Sequence, residues 1–468
     1  MKFLGKLLPF QKTGVDIAFE ALHETRKAFI LSDQMGLGKT FSGIAIASRM
    51  DINRCLVVCP NPAKEIWASH IEKLTDASYL IVNSRSELKS RVNFLIIGYD
   101  RLRILEGCIS NKYFELLIAD EFHSIKNPDA KRSQAIRSLN AKFRLFLSGT
   151  PVLNYRDELF NVLNIVDPVE FPGYDNFVSR FCTTDRIRVR YRKGRRWRTH
   201  FVKKVCGGKN TKELVGLISP FMLRRTRKDV LPFLPEELYQ TYYVDMKGKQ
   251  LQLYKKVERS LRDDIDKKGV NTQNAIVRFT KLRQMCQIVK RDSGKYSSVK
   301  LDFLEELCED ILQTKDDGNI NKILVVSPFR VPVRHARKML NAFNPVYVDG
   351  TVSDDDMEKE KKKFQEDKTC RVYIGTIRKN MQAITLTAAT HVIYIGCDVV
   401  PAYNEQVKDR AIRIGQKRSV LVIKILCRDS IEERIEEILE RKGDDFNDLF
   451  GKGGNRFSRS ISSIRKVL

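Results

Sequence analysis

A chain of 468 residues is too long for one ordinary hydrophobic core, so two large domains are expected. Its 42% apolar content suits packed cores and excludes bulk disorder, and no window nears the roughly 18 unbroken apolar residues of a membrane helix. Lysine and arginine outnumber aspartate and glutamate by 84 to 58, a formal +26. That excess favours a polyanion, nucleic acid ahead of an acidic membrane surface, because each cation seated on a phosphate releases condensed counterions.

The opening MKFLGKLLPFQ imitates a signal peptide, but Lys6 and Pro9 break its apolar stretch and no small-residue cleavage site follows. Short β-branched runs then alternate with helical patterns, the signature of parallel sheets covered by helices. Strands are expected over 28–33, 54–60, 94–99, 116–120 and 143–149, and again over 322–328, 346–350, 371–376, 391–396 and 421–426. Two such blocks predict an α/β fold of two similar lobes. Between them, 152–183 and 211–230 read as mixed and helical, and 249–268 as a long exposed helix. Residues 186–204 carry ten basic and no acidic residues. Arg186, Arg188, Arg190 and Arg192 alternate with Ile187, Val189 and Tyr191, a strand pattern, and Lys193-Gly194 is a candidate hairpin turn. The tail from 445 is basic and rich in glycine and serine, and is expected to be mobile. Ten scattered cysteines without a C-x-x-C pair set aside a disulfide framework and a zinc ribbon, so a reducing intracellular setting is expected.

DQMGLGKT (33–40) follows a strand and opens a helical pattern. A glycine loop there lets backbone N–H groups reach phosphate oxygens at a helix N-terminus. In this P-loop reading Asp33, Met35, Gly36, Leu37 and Gly38 line the phosphates of ATP, Lys39 reaches the β/γ-phosphates and Thr40 holds Mg²⁺. LLIADEFH (116–123) ends an apolar strand in two carboxylates: Asp120 for the magnesium shell, Glu121 to orient and deprotonate water. QVKDRAIRIGQ (406–416) sets Arg410 and Arg413 three apart, on one helical face, where arginines can meet a γ-phosphate.

Together with LLPFQ, LVVCPNPAKEIWASHIEK (56–73), IIGYDRLR, LSGTP (147–151), FMLRRTRKDVLPFLP (221–235) and ILVVSPF, these segments, in this order, resemble the Swi/Snf family of DNA-dependent ATPases within helicase superfamily two. The resemblance covers roughly residues 4–440 and implies two RecA-like lobes with ATP and Mg²⁺ between them. It implies that Gln11 reads the adenine edge, that His123, Ser148 and Thr150 couple the nucleotide site to DNA, and that Gln406, Arg410 and Arg413 complete the site from the second lobe. Trp67 is expected to pack behind a DNA-contacting loop. Two positions depart from the family pattern. NMQAITLTAAT (380–390) lacks the usual glycines and has Thr385 where asparagine is common, leaving Thr385 and Thr387 as hydroxyl donors to ribose or DNA. Phe122 stands where a small residue is commoner.

The expected domains are a first lobe over 1–235 with a basic insertion at about 168–220, a second over 236–444 with a helical insertion at about 248–292, and a tail over 445–468. The basic hairpin, with Arg186, Arg188, Arg190, Arg192, Lys193, Arg195, Arg196 and Arg198, is the candidate duplex contact, and Tyr191 and Trp197 are candidate wedges. The expected function is an ATP-dependent translocase on double-stranded DNA, largely sequence-independent. A strand-separating or branch-migrating helicase, an RNA-stimulated ATPase, and a basic DNA-binding protein with a decayed ATP site remain as alternatives. The expected location is the cytoplasm of a bacterial or virus-infected cell, or the nucleus if eukaryotic.

Overall fold

A computed structural model describes residues 1–193, 196–231, 237–266, 272–314, 320–381, 385–413 and 415–450. These divide into two compact units, the first made of 1–183, 208–231 and 445–450, the second of 184–207 and 237–444.

The first unit is built on β1 (Ala28–Leu31), β2 (Cys55–Cys59), β3 (Tyr79–Ile81), β4 (Phe94–Gly98), β5 (Tyr113–Asp120) and β6 (Asn140–Leu147). After the hairpin strands β7 (Cys182–Lys193) and β8 (Arg196–Gly208), the two-residue β9 (Met222–Leu223) returns to the same sheet. The order is β3-β4-β2-β5-β6-β1-β9 and every neighbour is parallel. A parallel sheet needs cover on both faces, and the strands accordingly read as unbroken apolar runs. β2 and β4 are buried at all five positions each. One face packs Phe29, Leu31, Val57, Ile96 and Ile118 against Ile44 and Trp67 from the helices.

The second unit holds β10 (Glu237–Val244), β13 (Ile323–Ser327), β14 (Val346–Val348), β15 (Val372–Thr376), β16 (His391–Tyr394) and β17 (Val420–Cys427), in the parallel order β10-β17-β16-β13-β15-β14. The side hairpin of β11 (Val289–Lys290) and β12 (Tyr296–Ser297) is separate. Period-two alternation splits the sheet's side chains between two cores. Leu324, Val326, Val392, Tyr394 and Val422 lie in one, and Ile323, Val325, Ile393, Ile395 and Ile423 in the other.

All ten predicted strands are present. The strand β10 was not anticipated, because ELYQTYYV is an edge strand with mixed polar and aromatic residues and no unbroken apolar run. The helix Gly248–Asp266 corrects the exposed reading of 249–268, since Gln250, Tyr254 and Leu261 are buried and Gln250 Nε2 donates to the Met285 and Cys286 carbonyls. Lys267 and Lys268 lie outside the described residues. In the basic segment, β7 and β8 pair as a two-stranded sheet. Arg186 is exposed; Arg195, Gly194 and the side chains of Arg188, Arg190, Tyr191, Arg192, Lys193, Arg196, Trp197 and Arg198 lie outside the described residues.

Lys300, at the start of the helix Val299–Gln313, is fully buried in the second unit. Its ammonium donates to the carbonyls of Ile395 and Ile425 and pairs with Glu432 at 2.6 Å, and Glu432 also accepts from the Cys427 N–H. Removing one partner of a buried pair strands the other charge, a loss of about 3–5 kcal/mol. Lys300→Ala is therefore expected to lower the unfolding free energy of the second unit by that much, read as a lower urea midpoint. An unchanged midpoint would show that Glu432 finds water instead.

Candidate functional site

The C-terminal ends of β1, β6 and β5, three adjacent parallel strands, carry the phosphate loop, the LSGTP turn and the acidic pair. In an open α/β sheet this is the edge where loops present ligands.

β1 runs into the phosphate loop, and Gly36 and Gly38 take positive φ values of 85° and 76°. Only glycine adopts these without strain. The helix Lys39–Arg49 follows, so the loop's N–H groups sit at a helix N-terminus. Lys39 Nζ donates to the Asp33 carbonyl at 2.8 Å and more weakly to that of Gln34 at 3.4 Å. Burial lowers the pKa of this amine, against the pull of the Glu121, Asp33 and Asp120 carboxylates. Thr40 opens the helix, half-buried. Gln11 is buried against the loop: its Nε2 donates to the Leu37 carbonyl at 3.0 Å, and its Oε1 accepts from the Leu8 N–H at 2.9 Å. A Cβ on Gly38 would collide with that amide.

Asp33 departs from its expected place among the phosphate-lining groups. Its carboxylate takes a fork from Arg225, Nε at 3.0 Å and Nη2 at 2.5 Å, plus the Arg225 N–H at 3.1 Å. Arg225 also reaches the Phe10 carbonyl and lies over the Phe10 ring. Beside it, Arg224 donates to the carbonyls of Ser32 and Gly149 at 2.9 and 3.2 Å, and the Arg227 N–H to Gln34 Oε1 at 2.9 Å. Arg227 Nη1 also reaches the Met35 carbonyl, at 3.4 Å. The segment 222–227 thus lies along β1 and its loop as a brace. Sequence reasoning noticed LRRTR as a motif but not as the loop's support, because the partners are about 190 residues away.

Asp120 ends β5. Its Oδ2 accepts from Trp67 Nε1 at 2.9 Å, its Oδ1 from the Glu121 N–H at 2.9 Å, and its carbonyl from the Tyr99 hydroxyl at 2.7 Å. Trp67 is wholly buried, as expected, yet also orients a carboxylate. Burial, then the adjacent Glu121 charge, push the Asp120 carboxyl up to about 6. Glu121 sits at φ 50°, an uncommon value for a residue with a side chain, which aims its carboxylate at the end of β6. There Ser148 Oγ donates to Glu121 Oε2 at 3.2 Å and lies 3.2 Å from both His123 Nδ1 and the Thr150 N–H. His123 Nδ1 is 3.3 Å from the same Glu121 oxygen. A hydroxyl has one proton and two lone pairs, so with Ser148 donating to Glu121 the histidine proton lies on Nδ1. Ser32 Oγ ties the Ser148 carbonyl back to β1 at 3.0 Å. Phe122 is buried edge-on to Phe146, which accounts for a large residue there.

In the second unit the helix Pro401–Ala411 is buried along its length apart from Tyr403, with Gln406 4% and Arg410 6% exposed. It ends before Arg413, since Ile412 leaves helical geometry at ψ 85° and Gly415 takes φ 104°. Arg410 and Arg413 therefore do not share a helical face. Instead both reach the glycine-free segment: Arg410 Nη2 donates to the Met381 carbonyl and Arg413 Nη1 to Thr385 Oγ1 at 2.8 Å. Thr387 Oγ1 accepts from Gln365 at 3.1 Å, and Gln416 Nε2 donates to the carbonyls of Thr387, Ala389 and Ala411. Gln382, Ala383 and Ile384 lie outside the described residues.

Residues 10–291 match the SNF2-related domain and 299–415 the helicase conserved C-terminal domain. The chain is 28% identical over 462 residues to the DNA annealing helicase and endonuclease ZRANB3 of Bos taurus, covering 94% of this chain and 40% of that protein. It is 26% identical over 455 residues to the SWI/SNF-related matrix-associated actin-dependent regulator of chromatin subfamily A-like protein 1 homolog of Caenorhabditis elegans, covering 94% and 61%. The chain thus spans less than two thirds of these curated relatives. The solved Sulfolobus solfataricus SWI2/SNF2 ATPase core in complex with dsDNA aligns over 98% of both chains at 24% identity and a TM-score of 0.45.

The Asp120 environment predicts a titration. Because the folded-state value is the raised one, this carboxyl stabilises the fold below the usual carboxylate range and loses that contribution as pH rises through about 6. Trp67→Phe removes an N–H that favours the ionised form, so the midpoint is expected to move higher still. Carboxyl carbon NMR of both proteins checks this, and a wild-type midpoint near 4 would refute it.

Proposed function

The chain belongs to the SNF2-related family of helicase-like, DNA-dependent ATPases, and from that premise we propose that it is an ATP-driven translocase on double-stranded DNA. The observation that carries this reading is the junction of Glu121, Ser148 and His123, which links a water-activating carboxylate to the end of the neighbouring strand.

The substrate is MgATP, and the donor set fits it. A hydroxyl and a carboxylate, Thr40 and Asp120, are hard oxygen ligands suited to magnesium. Above pH 6 the buried Asp120 charge beside Glu121 is unfavourable, and a cation relieves it. The loop N–H groups and Lys39 take the phosphates, the lysine exchanging two backbone carbonyls for phosphate oxygens. Glu121 receives the proton of the attacking water, and Ser148 fixes the carboxylate's direction while His123 fixes the serine. Gln11 sits where it can recognise the base, already bonded to the loop beneath the phosphates. In the same reading Arg410 and Arg413 of the second unit act on the transferred phosphate, exchanging their bonds to the Met381 carbonyl and Thr385. ATP-driven change at those arginines would reach the segment around Thr385 and Thr387, and so the DNA. The +26 charge supports backbone binding that is largely indifferent to sequence and falls steeply with salt. Exposed Arg186 and the rest of the basic hairpin extend that surface in this proposal.

ATP turnover with no nucleic acid, duplex DNA, single-stranded DNA and RNA tests the reading. Duplex DNA is expected to stimulate most, and Glu121→Gln to lower kcat by about 10²–10⁴-fold. Equal turnover without DNA would break the proposed coupling, and no turnover at all would leave a DNA-binding protein. Unwinding of forked DNA would favour a strand-separating helicase. A second expectation separates chemistry from coupling. Ser148→Ala should lower duplex-stimulated turnover by a larger factor than basal turnover, whereas a proportional fall in both would make Ser148 merely structural.

A further inference from the structure

A second cluster of cationic and aromatic side chains lies on the second unit. Its centre is an aromatic pair. Tyr296, on β12, packs its ring on His335 with centroids 4.4 Å apart and remains 41% exposed. His335 belongs to the helix Arg330–Met339, and the β11–β12 hairpin is tightened by a turn in which the Gly294 N–H bonds the Arg291 carbonyl at φ 79°. The antiparallel register sets Lys290 directly across from Tyr296, so the two side chains rise on one face.

Three exposed cations lie beside the pair, Lys290 on the hairpin and Arg334 and Lys338 on the helix, and the exposed Arg291 and Lys295 form the hairpin's next cross-strand pair. Among the described residues none of the five has a carboxylate within ion-pair distance. The hairpin's own acid, Asp292, is held by Lys249 at 2.7 Å. The neighbouring helix Val299–Gln313 is acidic, but among the described residues its carboxylates make no ion pair with these cations. The charges acting on His335 are those of Lys338 and Arg334, which, after burial, hold its pKa below the ordinary histidine value. Its neutral form is thereby favoured, and the ring, tilted at 46° to the tyrosine, can back it as a platform. An exposed aromatic ring within a field of uncompensated cations suits an unpaired base and its flanking phosphates better than a duplex, whose bases are already stacked.

We propose that the Tyr296–His335 pair with Lys290, Arg334 and Lys338 binds single-stranded DNA, one base stacking on the open face of Tyr296 and the cations taking the adjoining phosphates. The choice of DNA rests on the motor reading; the stacking site does not. It would let the protein hold an unpaired arm beside the duplex on which it acts.

The test is fluorescence anisotropy of labelled oligo(dT) and of a blunt duplex with the full chain, alongside duplex-stimulated ATP turnover. Tyr296→Ala is expected to weaken oligo(dT) binding about fivefold or more, as loss of one stacked base implies. Tyr296→Phe, which keeps the ring, should bind like wild type. Arg334→Glu with Lys338→Glu should weaken oligo(dT) and flatten its salt dependence. Duplex affinity and duplex-stimulated turnover should stay within about twofold in all three. The proposal falls if the wild type does not bind oligo(dT), if Tyr296→Ala leaves that affinity unchanged, or if duplex and oligo(dT) weaken together. A wild type without duplex-stimulated turnover, but with oligo(dT) binding that Tyr296→Ala abolishes, would sink the motor reading and leave this site standing.

Discussion

Parallel pairing of β1, β6 and β5 is the constraint on which the first unit's chemistry depends. In a parallel sheet all strands end on the same side, so the phosphate loop, the LSGTP turn and the acidic pair emerge together although they lie far apart in sequence. A slip of one residue between these strands would turn every side chain to the opposite face and part Ser148 from Glu121. The unbroken apolar strands supply the burial that holds this register.

The phosphate loop is not held by its own sequence alone. The buried carboxylate of Asp33 is satisfied by a fork from Arg225, and Arg224 and Arg227 bond loop carbonyls and the Gln34 amide. A lone buried carboxylate would be costly, so loop and brace are mutually required. The ring of Phe10 beneath Arg225, next to Gln11, ties the base-recognition segment to the same arginine. Loop, brace and Gln11 segment form one polar assembly within a single unit.

The second unit solves a different problem. Its arginine-bearing helix is buried almost throughout, so its charged residues must be satisfied from within. Lys408 pairs with Glu405 at 2.7 Å and Glu237 at 3.1 Å and takes the Tyr239 hydroxyl at 2.8 Å, pinning the helix to β10. At the position where asparagine is common in the family, Thr385 accepts from Arg413, and Gln416 holds the carbonyls of Thr387 and Ala389.

The chain order of motifs, the ten apolar strands and the glycine loop were legible in the sequence because each rests on local pattern: unbroken β-branched runs, residues with special φ, and carboxylates at a strand end. Other features were not. The role of Asp33 needed Arg225, 192 residues on. The second function of Trp67 depended on the position of its indole nitrogen, which burial patterns do not report. The separation of Arg410 from Arg413 required knowing that Ile412 leaves the helix. The β10 edge strand and the Tyr296–His335 pair also waited for the fold, since neither has a periodic signature. Sequence alone determined the apolar strands and the groups the site can draw on, since backbone preference and hydrophobic period act over a few residues. Only the tertiary structure decided which polar group satisfies which, because burial forces each to find a partner and long-range packing alone determines who is within reach.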